Sequence, residues 1–334
     1  MVIILNNEGY LDKQRMKRIG NLYYKIYDVE NLKLADRRAR RNKGYQSTIK
    51  EFDKEKDLNL FNLSISLKEK KYKTSKYTTF IVKEPKERVI YRLPYFPDRI
   101  THHAVVLILE SIFVSVFTAD TYSCIKKRGI HKASKKLTEA LQTNEGTKYC
   151  LKIDIKKFYP SIDNSILKKL LRKTFKDKDL LWLLDEIIDS IDGVPIGNYL
   201  SQYFANFYLT YFDHWIKEEK KVKFYFRYAD DMVFLSDSKE YLYKLLSEIK
   251  EYLWVNLRLV LKENHRIFPV IINGIDFVGY VHFPTHKKLR KGIKKRFAKM
   301  LKKYRNKRSI SSYKSWAKHC NSRNLIKKLF REKV

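Results

Sequence analysis

The tetrapeptide Tyr228-Ala-Asp-Asp231 joins two short apolar runs, residues 224–228 and 232–235. This pattern predicts two strands connected by a tight turn, with Asp230 and Asp231 adjacent at the tip. Neighbouring carboxylates repel one another, and each raises the pKa of the other. Divalent cations held between them would remove that repulsion. Taken alone, the tetrapeptide also fits an ordinary acidic β-turn.

A second candidate carboxylate, Asp154, lies 76 residues before Asp230. Apolar residues at positions 151, 153 and 155 alternate with Lys152 and Asp154. The alternation predicts a strand that ends at Asp154, with this side chain on the face opposite the buried set. One carboxylate at a strand end and two on a hairpin are typical of a site that holds two divalent ions for phosphoryl transfer. A surface strand terminus is the alternative for Asp154 considered by itself.

Such a site would support attack of a primer 3′-hydroxyl on the α-phosphate of a nucleoside triphosphate. Asp154, Asp230 and Asp231 are the predicted catalytic residues and metal ligands, and the Ile155 carbonyl is a further predicted ligand. Mg²⁺ is the expected metal, with two ions per site. Mn²⁺ would also suit these oxygen ligands.

Three other residues are candidates for binding the nucleotide. Lys86 and Arg88 lie at a predicted hairpin tip, where their charges would hold a triphosphate, although a solvated basic turn has the same composition. Tyr159 follows Asp154 by five residues. Its ring would sit under the sugar and exclude a 2′-hydroxyl, with a core tyrosine as the alternative.

The elements predicted to position these residues mix helices and strands. Helices are predicted over residues 12–42, 55–68, 97–117, 130–142, 164–174, 178–191 and 198–215, and over 238–253 after a capping box that starts at Asp237. Strands are predicted over residues 77–82, 88–93, 149–155, 224–228, 232–235, 257–261 and 276–280. The aromatic stripe along 199–215 indicates core packing, with base stacking as the alternative for any one ring.

Composition limits the classes of protein to which the chain can belong. The chain has 334 residues, of which 44% are hydrophobic, so it can bury a core spread over two or three lobes. Ten Gly and seven Pro favour long regular elements over linkers. The three widely spaced cysteines fit neither a disulfide framework nor a zinc motif. Because no apolar stretch reaches the length of a membrane span, we expect a cytoplasmic protein with no membrane partner.

The net charge of +34 is concentrated near the carboxyl terminus. Residues 284–334 contain twenty Lys and Arg but a single acid, Glu332. Three apolar stripes within this segment predict a small helical bundle with a cationic face that binds a polyphosphate backbone. The predicted nucleic-acid contacts are Lys287, Lys288, Arg290, Lys291, Lys294 and Lys295.

These motifs, in this order, resemble those of reverse transcriptases over nearly the whole chain. Residues 84–90 resemble the triphosphate-binding hairpin of that family, 152–159 its first metal motif and 228–231 its second. Residues 274–280 are similar to the primer grip. Lys262 lies near the lysine often found just before it, which implies that Lys262 is a further nucleotide-binding residue. The primer-grip residues implied by this resemblance are Phe277, Val278, Gly279 and Tyr280.

The resemblance implies an α+β right-hand polymerase with fingers, an antiparallel palm sheet with helices, and a basic helical thumb. It implies an N-terminal extension and fingers, with some palm elements, over residues 1–148, a palm over 149–283 and a thumb over 284–334. The implied activity is RNA-directed DNA polymerisation, with template RNA, a DNA or RNA primer and dNTPs as partners. The only acid after Asp276 is Glu332, so no RNase H site is expected.

One motif suggests a subtype. Where reverse transcriptases usually carry Gln-Gly-x-x-x-Ser-Pro, this chain has Ile196-Gly197-Asn-Tyr-Leu-Ser201-Gln202. This form is similar to that of diversity-generating retroelements of bacteria, archaea and phages. It implies error-prone copying of a template-repeat RNA, with errors opposite adenine, and a small basic accessory protein. Ile196, Gly197 and Gln202 are therefore candidate nucleotide-binding residues.

A physical hypothesis accompanies this motif. If Ile196 lines the nascent base pair, it cannot make the polar contact that glutamine would make, and this loss narrows the free-energy gap between correct and incorrect pairs. A retron-type or phage-defence reverse transcriptase is the alternative within the same chemistry. A non-catalytic RNA-binding protein on a polymerase fold is the alternative from another class.

Overall fold

The computed structural model describes residues 17–83, 87–143, 145–303 and 307–331. The chain divides into two compact units. The described parts of Met1–Ile112 and Ile162–Phe204 form the first unit, and those of Phe113–Ser161 and Ala205–Val334 form the second. The three-domain division expected from the sequence stays a prediction.

Helices account for most of the described residues. In chain order they are α1 Tyr23–Tyr27, α2 Val29–Ala39, α3 Ser47–Lys54, α4 Lys56–Lys68, α5 Ile100–Val116, α6 Ile130–Gln142, α7 Asn164–Thr174, α8 Lys178–Ile188, α9 Tyr199–Tyr208, α10 Thr210–His214, α11 Lys239–Leu257, α12 Val270–Asn273, α13 Lys291–Lys303, α14 Lys307–Lys318 and α15 Arg323–Arg331. Single helical turns also lie at Tyr95–Arg99, Tyr159–Ser161 and Trp215–Glu219.

The strands form three antiparallel sheets. They are β1 Thr78–Val82, β2 Arg88–Arg92, β3 Tyr149–Asp154, β4 Phe224–Tyr228, β5 Asp231–Ser236, β6 Arg266–Pro269, β7 Ile275–Phe277, β8 Tyr280–His282 and β9 Lys287–Leu289. The first unit holds the hairpin β1-β2. The second holds a four-stranded sheet in the order β4-β5-β3-β6 and a three-stranded sheet in the order β7-β8-β9.

The helix predicted over residues 12–42 is two helices in the described part, with residues 12–16 outside it. The Asp28 side chain accepts hydrogen bonds from the backbone N–H groups of Glu30 and Asn31. Because this cap begins a new helix, α1 ends before Asp28 and α2 starts after it. The prediction of one continuous helix was wrong for this reason.

Two further predictions were wrong near α11. The helix is capped by Ser238, whose hydroxyl accepts from the Tyr241 N–H, whereas Asp237 accepts from the N–H groups of Gly146 and Lys148. The strand predicted over 257–261 is absent: within these residues Arg258 turns into the left-handed region (φ 53°) after α11, and only Leu261 forms a bridge. Local alternation at 257–261 thus did not produce a strand.

Among the described residues, one segment is long and apolar enough to cross a membrane, contrary to the expectation from the sequence. It is Tyr95–Val116, and half of its most apolar window is buried inside the protein. Val105 and Leu109 of α5 are completely buried. This burial is typical of the core helix of a globular protein.

The apolar core of the second unit fixes the position of the central strands. One face of the four-stranded sheet contributes Cys150, Val233 and Leu235 to an apolar cluster that also contains Leu137 of α6 and Phe277 of β7. The other face of β3 buries Leu151 and Ile153. Because both faces of β3 are covered, the position of its end is fixed by packing.

The carboxyl-terminal segment confirms a helical pattern after a short strand, β9, that sequence reasoning missed. Helices α13, α14 and α15 are called the basic helices below. Phe297, Met300 and Leu301 of α13 pack against Tyr313 of α14 and Phe330 of α15. The apolar stripes therefore face one another, as the sequence predicts.

Candidate active site

The three candidate aspartates gather at one end of the four-stranded sheet. Asp154, the last residue of β3, lies directly opposite Asp231, the first residue of β5. Tyr228 also pairs with Asp231, so Ala229 and Asp230 form a two-residue turn between β4 and β5. The strands β4 and β5 with this turn are called the aspartate hairpin. The register of two adjacent strand pairs thus brings Asp154 together with carboxylates that follow it by 76 and 77 residues.

The environment of Asp230 and Asp231 disfavours their charged forms. Burial, followed by the neighbouring Asp154 and Asp231, raises the pKa of Asp230 to about 6. Burial also raises the pKa of Asp231, and Asp154 adds to this effect while Lys152 opposes it. A cluster of partly desolvated carboxylates with raised pKa values is typical of a functional site and of one that gains from bound cations.

Two lysines contact the aspartates from within the second unit. The ammonium of Lys262 pairs with the Asp154 carboxylate, and its backbone N–H donates to the Asp154 carbonyl at 2.8 Å. Lys152 Nζ lies 3.2 Å from Asp231 Oδ1 and donates a hydrogen bond to the Asp276 carbonyl. Lys262, predicted to bind nucleotide, therefore contacts a predicted metal ligand in this structure.

Lys152 was not among the predicted site residues. The signal was present, because Lys152 alternates with buried residues in step with Asp154 and must lie on the same face of β3. Sequence reasoning used this alternation to place the carboxylate but ignored the amine beside it.

The donor chemistry fits divalent metal ions. The carboxylate oxygens are hard ligands, and Asp231 Oδ1 is buried and accepts no hydrogen bond, although the Lys152 ammonium lies 3.2 Å from it. Two backbone hydrogen bonds flank Ile155, and they are accepted by the carbonyls of Asp154 and Val260. Neither of these bonds uses the Ile155 carbonyl. In the described part of the chain, however, no three His, Cys, Asp or Glu side chains converge on one ion position. Cation binding at Asp154, Ile155, Asp230 and Asp231 therefore stays a prediction.

A buried ion pair supports the aspartate hairpin. Arg227 of β4 is completely buried and donates to Asp213 of α10 through Nε at 2.7 Å and Nη2 at 2.5 Å. Its Nη1 donates to the Ala229 carbonyl at 3.2 Å, and Tyr225 donates its hydroxyl proton to Asp213 at 2.7 Å. The pair thus fixes the turn that carries Asp230, in which Ala229 adopts a left-handed conformation (φ 55°).

This network was missed from the sequence. The signal was a charged residue, Arg227, inside an otherwise apolar strand run. A buried arginine requires a buried acid, but the sequence does not say which of the 37 acids supplies it.

The predicted primer-grip residues form the tip of a second hairpin, β7-β8. Phe277 pairs with Tyr280, so Val278 and Gly279 form a two-residue turn with φ values of 42° and 89°. All four residues are buried. The side chains of Phe277, Val278 and Tyr280 therefore hold the hairpin in place, and any contact with a primer would involve the backbone of the turn.

Trp316 of α14 and Arg290, the residue before α13, pack on this tip. A Cβ at Gly279 would lie 2.8 Å from Trp316 Cη2, so only glycine allows this approach of α14. The Arg290 N–H donates to the Gly279 carbonyl at 3.0 Å, and Arg290 Nε lies 2.5 Å from Asp276 Oδ1. Arg290, predicted to contact nucleic acid, is thus held in an ion pair inside the second unit.

The other predicted basic contacts differ in exposure. Lys288, Lys291, Lys294 and Lys295 are exposed. Lys287 is half-buried: its Nζ donates to Ser134 Oγ at 2.9 Å, and burial lowers its pKa. The exposed four are therefore the members of this set that present charge to solvent.

The remaining predicted nucleotide-binding residues lie in two places. Tyr159 is half-buried in the second unit, with its ring edge-on to Phe158 at 5.5 Å between centroids. Arg88 is exposed on β2 in the first unit, and Lys86 lies outside the described residues.

The Ile196–Gln202 motif packs on β2 within the first unit. The Ile196 carbonyl accepts from the Tyr91 N–H at 2.8 Å. Gly197 has a φ of 126°, and a Cβ there would lie 2.5 Å from the Tyr91 carbonyl oxygen. Gln202 is exposed. Glycine is therefore required at position 197 for the approach of the two backbones, as in close backbone contacts generally.

Comparison with known proteins decides the family. A family model described as reverse transcriptase (RNA-dependent DNA polymerase) matches residues 73–264, more than half of the chain. The chain belongs to the reverse transcriptase family. This membership confirms the enzyme class predicted from the motifs, and the matched residues include all three aspartates of the site.

Curated relatives are more distant. Protein YkfC of Escherichia coli (strain K12) is 22% identical over 235 residues, which cover 56% of this chain and 61% of YkfC. The group II intron-encoded protein LtrA of Lactococcus lactis subsp. cremoris is 27% identical over 139 residues, covering 38% of this chain and 23% of LtrA. The reverse transcriptase thus spans less than two thirds of the length of either relative.

Among solved structures, apo telomerase from Candida tropicalis is similar with a TM-score of 0.50 at 13% sequence identity. The alignment covers 66% of this chain and 49% of that chain. At this identity the similarity concerns the fold alone. It confirms the α+β right-hand polymerase fold predicted from the motifs.

Proposed function

We propose that the protein is an RNA-directed DNA polymerase that extends a primer 3′-hydroxyl with dNTPs on an RNA template. The observation that carries this proposal is the meeting of Asp154, Asp230 and Asp231 at one end of the sheet. Family membership supports the same activity.

Divalent ions at these carboxylates would lower the pKa of the primer hydroxyl and neutralise charge on the phosphates. The chain itself contributes by holding the three carboxylates in position. The register of β3 and β5 fixes Asp154 against Asp231, and the pair Arg227–Asp213 fixes the turn that carries Asp230. Lys262 and Lys152 place positive charge beside Asp154 and Asp231, and Lys152 opposes the rise in the pKa of Asp231.

Primer extension on a defined RNA template tests this proposal. Asp230→Ala removes a carboxylate from the site, so we expect magnesium-dependent dNTP incorporation to fall by at least about 10³-fold. RNA binding in EDTA is expected to remain within about twofold of wild type, because the basic helices are unchanged. The matched control is Asp192→Ala, which removes an exposed aspartate of the first unit. Incorporation by Asp230→Ala at the wild-type rate would refute the site.

We further propose that the enzyme belongs to the diversity-generating type and produces adenine-mutagenic cDNA from a template-repeat RNA. What supports this is the sequence Ile196-Gly197-Asn-Tyr-Leu-Ser201-Gln202, which departs from the usual motif at its first and last positions. A small basic accessory protein and a cytoplasmic location belong to the same proposal. The partners are template RNA, a DNA or RNA primer and dNTPs.

Substitutions at the two unusual positions of the motif, Ile196 and Gln202, test this proposal. Ile196→Gln restores a polar side chain, so we expect misincorporation opposite template adenine to fall severalfold, measured by sequencing extension products. Gln202→Pro alters the other unusual position and serves as the comparison variant. Unchanged error rates in Ile196→Gln, with extension intact, would contradict the role of Ile196.

A retron-type or phage-defence enzyme is the second candidate, and the similarity to a group II intron-encoded protein fits it as well as it fits the diversity-generating type. Sequencing the locus separates the two. A template repeat beside a variable target gene supports the diversity-generating type, and their absence supports the second candidate.

A further inference from the structure

Lys152 contacts two parts of the second unit that come from different sheets. Its Nζ donates a hydrogen bond to Asp231 Oδ2 at 3.4 Å and another to the main-chain carbonyl of Asp276. Asp231 begins β5, the second strand of the aspartate hairpin, whereas Asp276 lies in β7, the strand that leads into the Val278-Gly279 turn. One ammonium therefore bridges the four-stranded and the three-stranded sheets.

The side chain of Asp276 is held as well. Its Oδ1 accepts a hydrogen bond from Arg290 Nε at 2.5 Å, and the Arg290 backbone N–H donates to the Gly279 carbonyl at 3.0 Å. Lys152 thus holds the carbonyl of Asp276 while Arg290 holds its carboxylate. The connection runs from Asp231 to the turn of the β7-β8 hairpin inside one compact unit.

The two ends of this connection face the same space. Asp231, Val278, Gly279 and Arg290 all line one cavity of about 480 Å³. Lys152 Nζ donates to Oδ2 of Asp231, and Oδ1 of the same carboxylate is buried and accepts no hydrogen bond. A hydrogen bond to one oxygen of a carboxylate aims the other, and the loss of such a contact at a metal site typically lowers activity or affinity by about 10- to 100-fold.

The chemistry of lysine suits this bridge. An ammonium has three donors and no acceptor, so it can serve a carboxylate and a carbonyl at once. The side chains of Lys152 and Asp231 are only 22% and 24% exposed. Charged groups that are largely removed from water keep their hydrogen bonds, because leaving them unpaired costs free energy. Lys152 is therefore restrained to the position in which it reaches both acceptors.

We propose that Lys152 is a positioning residue that fixes the β7-β8 hairpin relative to Asp231. A primer end held at the turn of this hairpin would then lie at a set distance from the site carboxylates. Lys152 acts through Asp231 and through the Asp276 carbonyl and takes no part in bond making. The role rests on the proposed polymerase function, because a misplacement of about 1 Å can slow a chemical step about 10²-fold.

Hydrogen–deuterium exchange of the full chain in EDTA tests the bridge without catalysis. In Lys152→Met we expect the backbone amides of residues 275–282 to exchange about tenfold faster, as for the loss of a hydrogen bond from a charged donor. Lys152→Arg keeps a charged donor and should restore much of the protection. The matched control is Lys135→Met, which removes a lysine of α6 whose side chain is 77% exposed. Thermal unfolding of each variant verifies the fold.

Primer extension measures the consequence for the reaction. We expect kcat of Lys152→Met to fall by about tenfold or more, with KM for dNTP within about twofold of wild type, because the primer end and not the nucleotide is displaced. Lys152→Arg should recover part of this loss, and Lys135→Met should match wild type. A role confined to the charge of Asp231 would lower kcat without changing exchange in residues 275–282.

Two results would overturn the proposal: exchange of residues 275–282 that is unchanged in Lys152→Met, or faster exchange accompanied by a normal kcat. If Lys152→Met does not fold, Lys152→Gln, which keeps a neutral donor without the charge, takes its place in both measurements. The exchange experiment also separates this proposal from the polymerase proposal. If Asp230→Ala polymerised at the wild-type rate, the active site would be refuted, and exchange would still report whether Lys152 holds the hairpin.

Discussion

Aspartates gather at the end of the four-stranded sheet in the second unit. In the first unit, five basic side chains line a cavity: Arg38, Arg41, Lys43, Arg92 and Arg99. In the sheet, Lys262 and Lys152 contact two of the three carboxylates. In the cavity, no described carboxylate pairs with Lys43, Arg92 or Arg99. The comparison teaches that the sheet is partly neutralised by its own unit, while Lys43, Arg92 and Arg99 have no described counter-charge in theirs. Variants that remove charges from each region test this difference.

The largest effect is expected at the internal charge pair beneath the aspartate hairpin. Arg227→Met leaves Asp213 buried without its partner, so we expect the free energy of unfolding to fall by about 3–5 kcal/mol. Urea unfolding measures this change. In the double variant Arg227→Met/Asp213→Leu, much of the loss should be recovered. A loss below about 1 kcal/mol in the single variant would contradict internal neutralisation.

Helix α13 is another region whose positive charges have no acidic partner among the described residues. Replacing Lys291, Lys294 and Lys295 by Gln removes three exposed charges. We expect RNA affinity to fall about tenfold or more, and the slope of log affinity against log salt to become shallower by roughly 2–3. Fluorescence anisotropy at several salt concentrations measures both quantities. Lys239, Lys244 and Lys250, exposed on α11, provide the matched triple variant and should change the slope less.

The pH dependence of stability tests the repulsion among the aspartates. The pKa of Asp230 is raised to about 6 from an ordinary value of 3.8. Between these values the folded state binds more protons than the unfolded state, so ionisation destabilises the metal-free protein as pH rises through this window. Asp230→Asn removes the effect, and its stability advantage over wild type should grow from pH 4 to pH 7 by the order of 1–2 kcal/mol.

Urea unfolding in EDTA at several pH values measures this advantage. Asp192→Asn, at an exposed position, should show no such trend. Added Mg²⁺ at pH 7.5 should reduce the advantage of Asp230→Asn, because bound cations would stabilise the wild-type carboxylates. An advantage that stays constant with pH would contradict the repulsion.

The smallest effects directly compare the two regions. In ligand-free protein, Arg99→Gln relieves repulsion in the cavity and should leave stability unchanged or raise it by up to about 1 kcal/mol. Lys152→Met removes a counter-charge from Asp231 and should lower stability by about 1 kcal/mol. Thermal unfolding with and without phosphate measures both. Equal losses of stability in Arg99→Gln and Lys152→Met would show that the two regions do not differ in how their charges are balanced.

Much of the fold was accessible from sequence because local signals agreed with the tertiary context. Helices α6 and α7 begin and end where the apolar period and the Asp163 cap predict. The strand over 257–261 was mispredicted because alternation alone does not supply a pairing partner. The break at Asp28 was missed because a cap residue inside an apolar period is easily taken as a helical surface position.

The sequence by itself determined which residues have the chemistry: three aspartates near strand ends and a basic carboxyl-terminal segment. Side-chain type, period and turn composition are local properties, so they can be read along the chain. Tertiary structure alone decided that Lys262 pairs with Asp154, that Asp213 neutralises Arg227, and that Trp316 covers Gly279. These contacts join residues far apart in the chain, and they depend on strand register and helix packing, which no local pattern encodes.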